Sequence, residues 1–334
     1  MEYRFLGKTG LKVSEVAMGT QTFGWVTDEK EAHQLLDIFI GAGGNLLDSA
    51  NIYNNGVSEI ILGNWIKKQK NRDSLVIATK VFFPVGEGHN DTGLTRKHIF
   101  NEIDKSLSRL KVDYIDLYQV HCCDRSTPLE ETLNALNDLV QSGKVRYIGA
   151  SNFTASKLLH ALMISKMCGI APFISLQPEY SLIVRSTEWE LIPLCIEEGI
   201  GVLAWSPLSG GWLTGKYRKN KPTPQNSRVG RKDRWDDQPE QRESDLTWNV
   251  IETLLQIGEQ IGKTPSQIAL NWILCKSGIT APIIGARTKG QLKENLGCTG
   301  WRLIAEDIEK LDNASHVKRP YPYSFIERYT RKRD

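Results

Sequence analysis

From Val16 onward, apolar runs of strand length alternate with stretches of helical periodicity, and this alternation limits the fold more than any other feature of the chain. The strand-like runs are residues 16–19, 45–48, 75–80, 114–121, 145–150, 173–177 and 201–205, with an eighth ending at Gly285. Between them lie amphipathic patterns with start signals. Asp28 precedes Glu31 by three residues, as in a capping box, ahead of Ala32, Leu35, Leu36, Phe39 and Ile40. Residues 59–68 form the second pattern, and Thr95 caps a third that carries Ile99, Ile103, Leu107 and Leu110. Thr127-Pro128-Leu129-Glu130 combines an N-cap, a first-turn proline and a closing Glu. Further helices are expected from Ala155, Glu188, near Val250 and Ser266, and from Thr288 and Ala305. Eight strand-helix units with no composition break predict a single (β/α)8 TIM barrel, with a long loop after strand 7 and a C-terminal helical extension. A doubly wound sheet would want a glycine fingerprint after its first strand, and Met18-Gly19-Thr20-Gln21 supplies none.

Length alone suggests two domains, since 334 residues is about twice the common domain size. The barrel reading instead makes residues 1–334 one domain, with residues 206–246 a loop and 318–334 a tail. The formal net charge of +3 is too small to argue for nucleic acid or a membrane surface. Six cysteines without a C-x-x-C pair read as reduced thiols, and adjacent Cys122 and Cys123 are poorly placed to bridge. The N-terminus has no apolar signal core, and no run approaches the ~18 apolar residues of a membrane span. A cytoplasmic protein is expected.

In such a barrel, residues at the C-terminal strand ends share one rim. Asp48, Lys80 and His121 end the second, third and fourth strands, and Tyr53 hangs on the loop just past Asp48. Each has a bland alternative: a helix cap, a solvated lysine, a satisfied histidine, a loop aromatic. Their convergence on one rim favours chemistry. Asp48 would keep the Lys80 ammonium charged, and that ammonium would lower the Tyr53 pKa and make it a general acid. Neutral His121 would orient a substrate oxygen. None of these groups donates hydride, so a redox reaction needs a cofactor. A Schiff-base role for Lys80 is the rival, but it wants a neutral amine. Trp25, Phe82, Phe83 and Cys122 are candidates for a substrate pocket suited to apolar carbonyls, with rim packing an equal alternative. Gly7-Lys8-Thr9-Gly10 reads as a hairpin turn rather than a phosphate loop, and the remaining histidines (33, 89, 98, 160 and 316) share no metal-ligand spacing.

The order and spacing of Asp48, Tyr53, Lys80 and His121 resemble the aldo-keto reductases over nearly the whole chain. Gly149-Ala150-Ser151-Asn152-Phe153, Gln177-Pro178-Glu179-Tyr180, Trp205-Ser206-Pro207-Leu208, Gly215-Lys216-Tyr217 and Gly285-Ala286-Arg287 add to the likeness. The long segment after strand 7 is similar to the branch holding potassium-channel β subunits and aryl-alcohol or sugar-type reductases. The resemblance implies NADPH-dependent reduction of a small-molecule carbonyl, with Tyr53 as proton donor. It also implies a cofactor set: Ser151, Asn152 and Gln177 on the carboxamide, Trp205 against the nicotinamide, and Ser206, Pro207, Leu208, Lys216 and Arg228 along the pyrophosphate. Arg287, Gln291, Glu294 and Asn295 would take the adenosine end, and Thr20, Asp48, Gly210 and Gly285 complete the set. An NADPH-sensing auxiliary subunit with vestigial catalysis is the alternative. Two departures stand out: Cys122-Cys123-Asp124 follows His121 where relatives often carry an aromatic or Arg, and Gly285 replaces a phosphate-binding Lys. Eight basic and three acidic residues fall between Lys216 and Asp237, so the basic excess concentrates in the loop that would cover a dinucleotide's phosphates.

Overall fold

A computed structural model of the chain describes residues 1–69, 71–225, 227, 230 and 242–330. Its first element is an antiparallel hairpin of β1 (Tyr3–Phe5) and β2 (Lys12–Ser14). Gly7 turns this hairpin at φ +59°, and a Cβ there would lie 2.5 Å from the Gly199 carbonyl oxygen, so only glycine fits. Leu6 and Val13 are fully buried with the inward residues Ala17, Leu46, Val76 and Leu203. The hairpin thereby closes the N-terminal end of the barrel.

Eight parallel strands form the closed barrel: β3 (Ala17–Gly19), β4 (Leu46–Asp48), β5 (Val76–Val81), β6 (Ile115–Val120), β7 (Val145–Ser151), β8 (Phe173–Gln177), β9 (Gly201–Ala204) and β10 (Ile279–Ile284). Helices α1 (Glu29–Gly41), α2 (Val57–Ile66), α3 (Arg96–Leu110), α4 (Leu129–Gln141), α5 (Ala155–Cys168) and α6 (Leu191–Glu198) alternate with them. After the long connection come α7 (Asp245–Ile261) and α8 (Pro265–Leu274), and after β10 come α9 (Lys289–Leu296), α10 (Ala305–Ala314) and α11 (Tyr323–Tyr329). The expected (β/α)8 barrel with C-terminal helices is therefore observed.

Strand alternation places the chemistry. In β5, Val76 and Ala78 belong to the barrel interior while Ile77 and Val81 meet the helices, so Lys80 points inward. The same count puts Asp48 inside with Leu46, and Gln119 inside with Leu117.

Local expectations held where a cap decided the helix start. Asp28 accepts from the Glu31 N–H at 2.8 Å, and Thr95 from that of His98 at 3.3 Å. The signal at 127–130 misled: α4 starts at Leu129 behind Pro128, without a side-chain cap, because Thr127 turns its hydroxyl to Asp124 instead. The helix expected from Glu188 begins at Leu191, behind a short 3-10 turn at Ser186–Glu188. Among the described residues no helix is long and apolar enough to cross a membrane.

Candidate active site

The loop after β4 carries Tyr53 to the rim through three successive left-handed residues, Asn54 (φ 49°), Asn55 (φ 52°) and Gly56 (φ 86°). Asn and Gly are the residue types that reach this region at least cost, so Asn-Asn-Gly fixes the turn. Gly56 then opens α2, which explains why that helix starts two residues ahead of expectation.

Beneath the loop, Lys80 Nζ donates to Asp48 Oδ2 at 2.5 Å, to the Ser49 carbonyl at 2.8 Å and to the Tyr53 hydroxyl at 3.2 Å. The other Asp48 oxygen accepts from Gln119 Nε2 at 3.1 Å and Gln177 Nε2 at 2.9 Å. Burial opposes the Lys80 charge, but the Asp48 carboxylate and the Tyr53 oxygen outweigh it and hold its pKa above the ordinary value. Charged Lys80 is the state this cluster favours. Tyr53 corrects the expected direction: burial outweighs the neighbouring ammonium and raises its pKa. The phenol therefore stays protonated at neutral pH. His121 is pushed well below its usual value by burial first and the Lys80 charge second, so its imidazole is neutral. Its ring lies edge-on to Tyr53 at 5.8 Å and to Phe83 at 4.8 Å between centroids.

These groups open into a cavity of about 770 Å³ on the C-terminal rim. Asp48, Tyr53 and His121 line one part of it, with Trp25, Phe83 and Cys122. Ser151, Asn152, Gln177, Trp205, Ser206, Pro207, Leu208, Gly210, Lys216, Gly285, Arg287, Gln291, Glu294 and Asn295 also line it. Four expected residues stand apart. Lys80 lies wholly behind the wall. Thr20 is buried, its hydroxyl 3.1 Å from the Asp48 carbonyl and 2.7 Å from Ser58 Oγ. Phe82 packs on the core behind Phe83. Arg228 lies outside the described residues, as does much of the basic stretch around it.

The wall is fixed by its own hydrogen bonds. Asn152 takes a left-handed conformation (φ 55°), and its side chain accepts from Trp205 Nε1 at 3.2 Å while donating to the His121 carbonyl at 2.9 Å. Ser206 is also left-handed, at φ 54°. Such conformations in residues other than glycine gather where a site dictates the backbone. At the opposite end, Gln291 accepts the Arg287 N–H at 2.9 Å and Asn295 donates to the Gly285 carbonyl at 3.3 Å. No motif in the sequence marks Gln119, although it shares the inward face two residues before His121. Arg242 also lines the cavity, held to Glu179 at 3.1 Å, and no sequence signal pairs residues 63 positions apart. Burial raises the pKa of the Cys122 and Cys123 thiols, which opposes a reactive thiolate at either. No cluster of metal-ligating side chains occurs among the described residues.

The arrangement can protonate an oxygen placed near Tyr53 and His121, and it can hold a long anionic ligand against Lys216 and Arg287. The model of the Aldo/keto reductase family matches residues 15–316. An uncharacterised oxidoreductase, YrpG, of Bacillus subtilis (strain 168) is 37% identical over 325 residues, covering 94% of this chain and 95% of that protein. A probable voltage-gated potassium channel subunit beta of Arabidopsis thaliana is 37% identical over 331 residues, covering 97% and 100%. Versiconal hemiacetal acetate reductase of Aspergillus parasiticus is 34% identical over 346 residues, covering 96% and 99%. With a closed parallel barrel and an Asp-Tyr-Lys-His cluster on its rim, the chain is an oxidoreductase belonging to the aldo/keto reductase family.

Proposed function

We propose that the protein reduces aldehydes or ketones to alcohols with NADPH, Tyr53 giving the proton. The observation that carries this reading is the contact of a buried ammonium, Lys80, with the Tyr53 hydroxyl at 3.2 Å in the wall of a cavity that also holds Arg287. The residues suit a dinucleotide. A volume of about 770 Å³ is in the range of cofactor sites. At Gly285 an added Cβ would meet nothing within 4 Å, so the backbone there lies open to a ligand. When bound, NADPH supplies the hydride that no side chain can.

The chain's own part is binding and proton delivery. Ser151, Asn152 and Gln177 would hold the carboxamide, Trp205 would cover the nicotinamide face, and Arg287 would take the 2′-phosphate with a planar guanidinium. His121 Nδ1 is shielded and has no hydrogen-bond partner among the described residues. A shielded N–H without an acceptor is the costlier tautomer, which favours the proton on Nε2, toward the cavity. Nε2–H then donates to the substrate carbonyl and sets it in line with Tyr53. As negative charge develops on that oxygen, Tyr53 transfers its proton, and Lys80 stabilises the phenolate left behind. The Asp48 carboxylate keeps Lys80 charged through the cycle. Six unpaired cysteines support a reducing, cytoplasmic setting, and we read residues 1–334 as one barrel domain.

Tyr53→Phe tests the assignment: 4-nitrobenzaldehyde reduction should fall by ~10²–10⁴-fold with NADPH binding, followed by nicotinamide fluorescence, unchanged. Full activity in that variant would refute the proton donor. The relative named as a potassium channel subunit motivates the second reading, an NADPH-binding auxiliary protein. Tight NADPH binding with negligible turnover of any carbonyl by the wild-type protein would favour it.

A further inference from the structure

Asp124 lies three residues past His121, outside the cavity wall, and its carboxylate accepts four hydrogen bonds. Its Oδ2 accepts from the Leu94 backbone N–H at 2.8 Å and the Thr127 hydroxyl at 2.8 Å. Its Oδ1 accepts from the Ser126 N–H at 2.8 Å and the Ser126 hydroxyl at 2.6 Å. These donors come from two different rim loops. Ser126 and Thr127 belong to the connection from β6 to α4, which bears His121 and Cys122. Leu94 ends the connection from β5 to α3, which bears Phe82 and Phe83. Gly93 makes the approach possible: it sits at φ +86°, and a Cβ on it would lie 2.8 Å from Asp124 Oδ2. Its own N–H donates to the Phe82 carbonyl at 2.8 Å, and Thr92 Oγ1 donates to the same oxygen at 3.1 Å. The position of Leu94 is thus passed through Gly93 and Thr92 to the Phe82-Phe83 segment. At the end of this chain, Phe83 lies edge-on to His121 at 4.8 Å and lines the cavity beside Cys122. A carboxylate is suited to the task because it offers acceptors only, four of which are used here.

We propose that Asp124 is a positioning residue that clamps two rim loops together, fixes Phe83 against His121, and so sets the enzyme's preference for aromatic over small aliphatic carbonyl substrates. The inference rests on the reductase reading above. Asp124 touches neither substrate nor cofactor; it acts through Phe83. The hydrogen bonds it accepts from Ser126 and Thr127, with that of the Leu94 N–H, hold its carboxyl at about 2 against the effect of burial, so the clamp stays ionised wherever the enzyme works.

In Asp124→Asn an N–H₂ replaces one oxygen and faces donors. A wall aromatic that is no longer held in place loses its pre-organised contact with an aromatic substrate, while a small aldehyde, with little apolar surface to set against that ring, depends on it much less. We expect the KM for 4-nitrobenzaldehyde to rise about tenfold, with its kcat, the kinetics of propanal and NADPH affinity each changed by less than about twofold. Phe83→Leu should reproduce the loss of selectivity, and Asp124→Asn placed on Phe83→Leu should add nothing further. Should Asp124→Asn not fold, Gly93→Ala attacks the same contact from the other loop and should lower the same selectivity ratio. Unchanged selectivity in the folded Asp124→Asn or Gly93→Ala variant, or additive effects of Asp124→Asn and Phe83→Leu, would overturn the proposal. A wild-type protein that reduces neither aldehyde would instead overturn the reductase reading.

Discussion

Lys80 and Asp48 meet at 2.5 Å with side chains 0% and 3% exposed, a buried ion pair at the focus of the site. Removing one partner of such a pair leaves an uncompensated charge in the interior, at ~3–5 kcal/mol. Asp48→Asn also turns an amide N–H₂ toward donors, either Lys80 or the pair Gln119 and Gln177. We therefore expect that loss of stability in urea unfolding at pH 7, with reduction abolished. The double variant Asp48→Asn, Lys80→Met should recover part of the stability and none of the activity. A single variant within about 1 kcal/mol of wild type would show that the pair is compensated in some other way.

The pH dependence follows from two shifts of opposite effect. Tyr53 is raised above the ordinary phenol, so its proton is present throughout neutral pH, and His121 is depressed, so it remains neutral there. The single-turnover rate of aldehyde reduction should be flat from about pH 6 to 9. Stability should behave differently. Below the ordinary histidine value near ~6.5 the unfolded chain takes up a proton that folded His121 refuses, so stability falls as pH falls, by up to ~1.4 kcal/mol per pH unit. His121→Asn should remove that component when urea midpoints at pH 7.5 and 5 are compared with wild type. An activity step near pH 6.5 in the wild-type enzyme would mean that His121 titrates in the site.

Arg109 bridges two fully buried carboxylates behind the Tyr53 loop. Its Nε donates to Glu59 Oε2 at 2.6 Å, and its guanidinium lies 3.8 Å from Glu102. The same side chain closes on Gly56, where a Cβ would lie 2.8 Å from Arg109 Cδ. Arg109→Met should destabilise the protein by ~3–5 kcal/mol, since both carboxylates lose their shared cation. Adding Glu59→Gln should restore part of this in thermal melts. If Arg109→Met melts within a degree or two of wild type, the cluster contributes little to stability.

The barrel was legible because its signal repeats eight times, and no single error in a boundary changes the count. Asp48, Lys80 and His121 were legible because strand ends in this fold share one rim. The misplaced features are those decided by competition at a distance. Thr127 has the sequence of a helix cap, but the Asp124 carboxylate accepts its hydroxyl instead. The Tyr53 shift runs opposite to the sequence expectation because proximity to an ammonium can be anticipated from a chain, whereas the depth at which the hydroxyl lies cannot. Thr20 and Phe82 adjoin site residues in sequence yet face away from the cavity.

The Arg287 end of the cavity offers the clearest test of cofactor choice. Arg287 is half-buried in the cavity wall, immediately before Thr288, which caps α9 by accepting the Gln291 N–H at 3.3 Å. Its backbone is tied down by the Gln291 side chain at 2.9 Å, so the position of the residue is set independently of any ligand. A guanidinium so placed matches a phosphate in geometry and charge, and it gains little from the hydroxyl that NADH carries at the same position. Arg287→Ala should raise the KM for NADPH by ~10-fold or more, about 1.4 kcal/mol, and that for NADH by less than about twofold. Arg287→Lys should fall between, because an ammonium keeps the charge and loses the bidentate fork. The wild-type preference should also shrink as salt is raised, through weaker NADPH binding. Equal effects of Arg287→Ala on both cofactors would remove this residue from 2′-phosphate recognition and leave the preference to the basic stretch that follows Lys216.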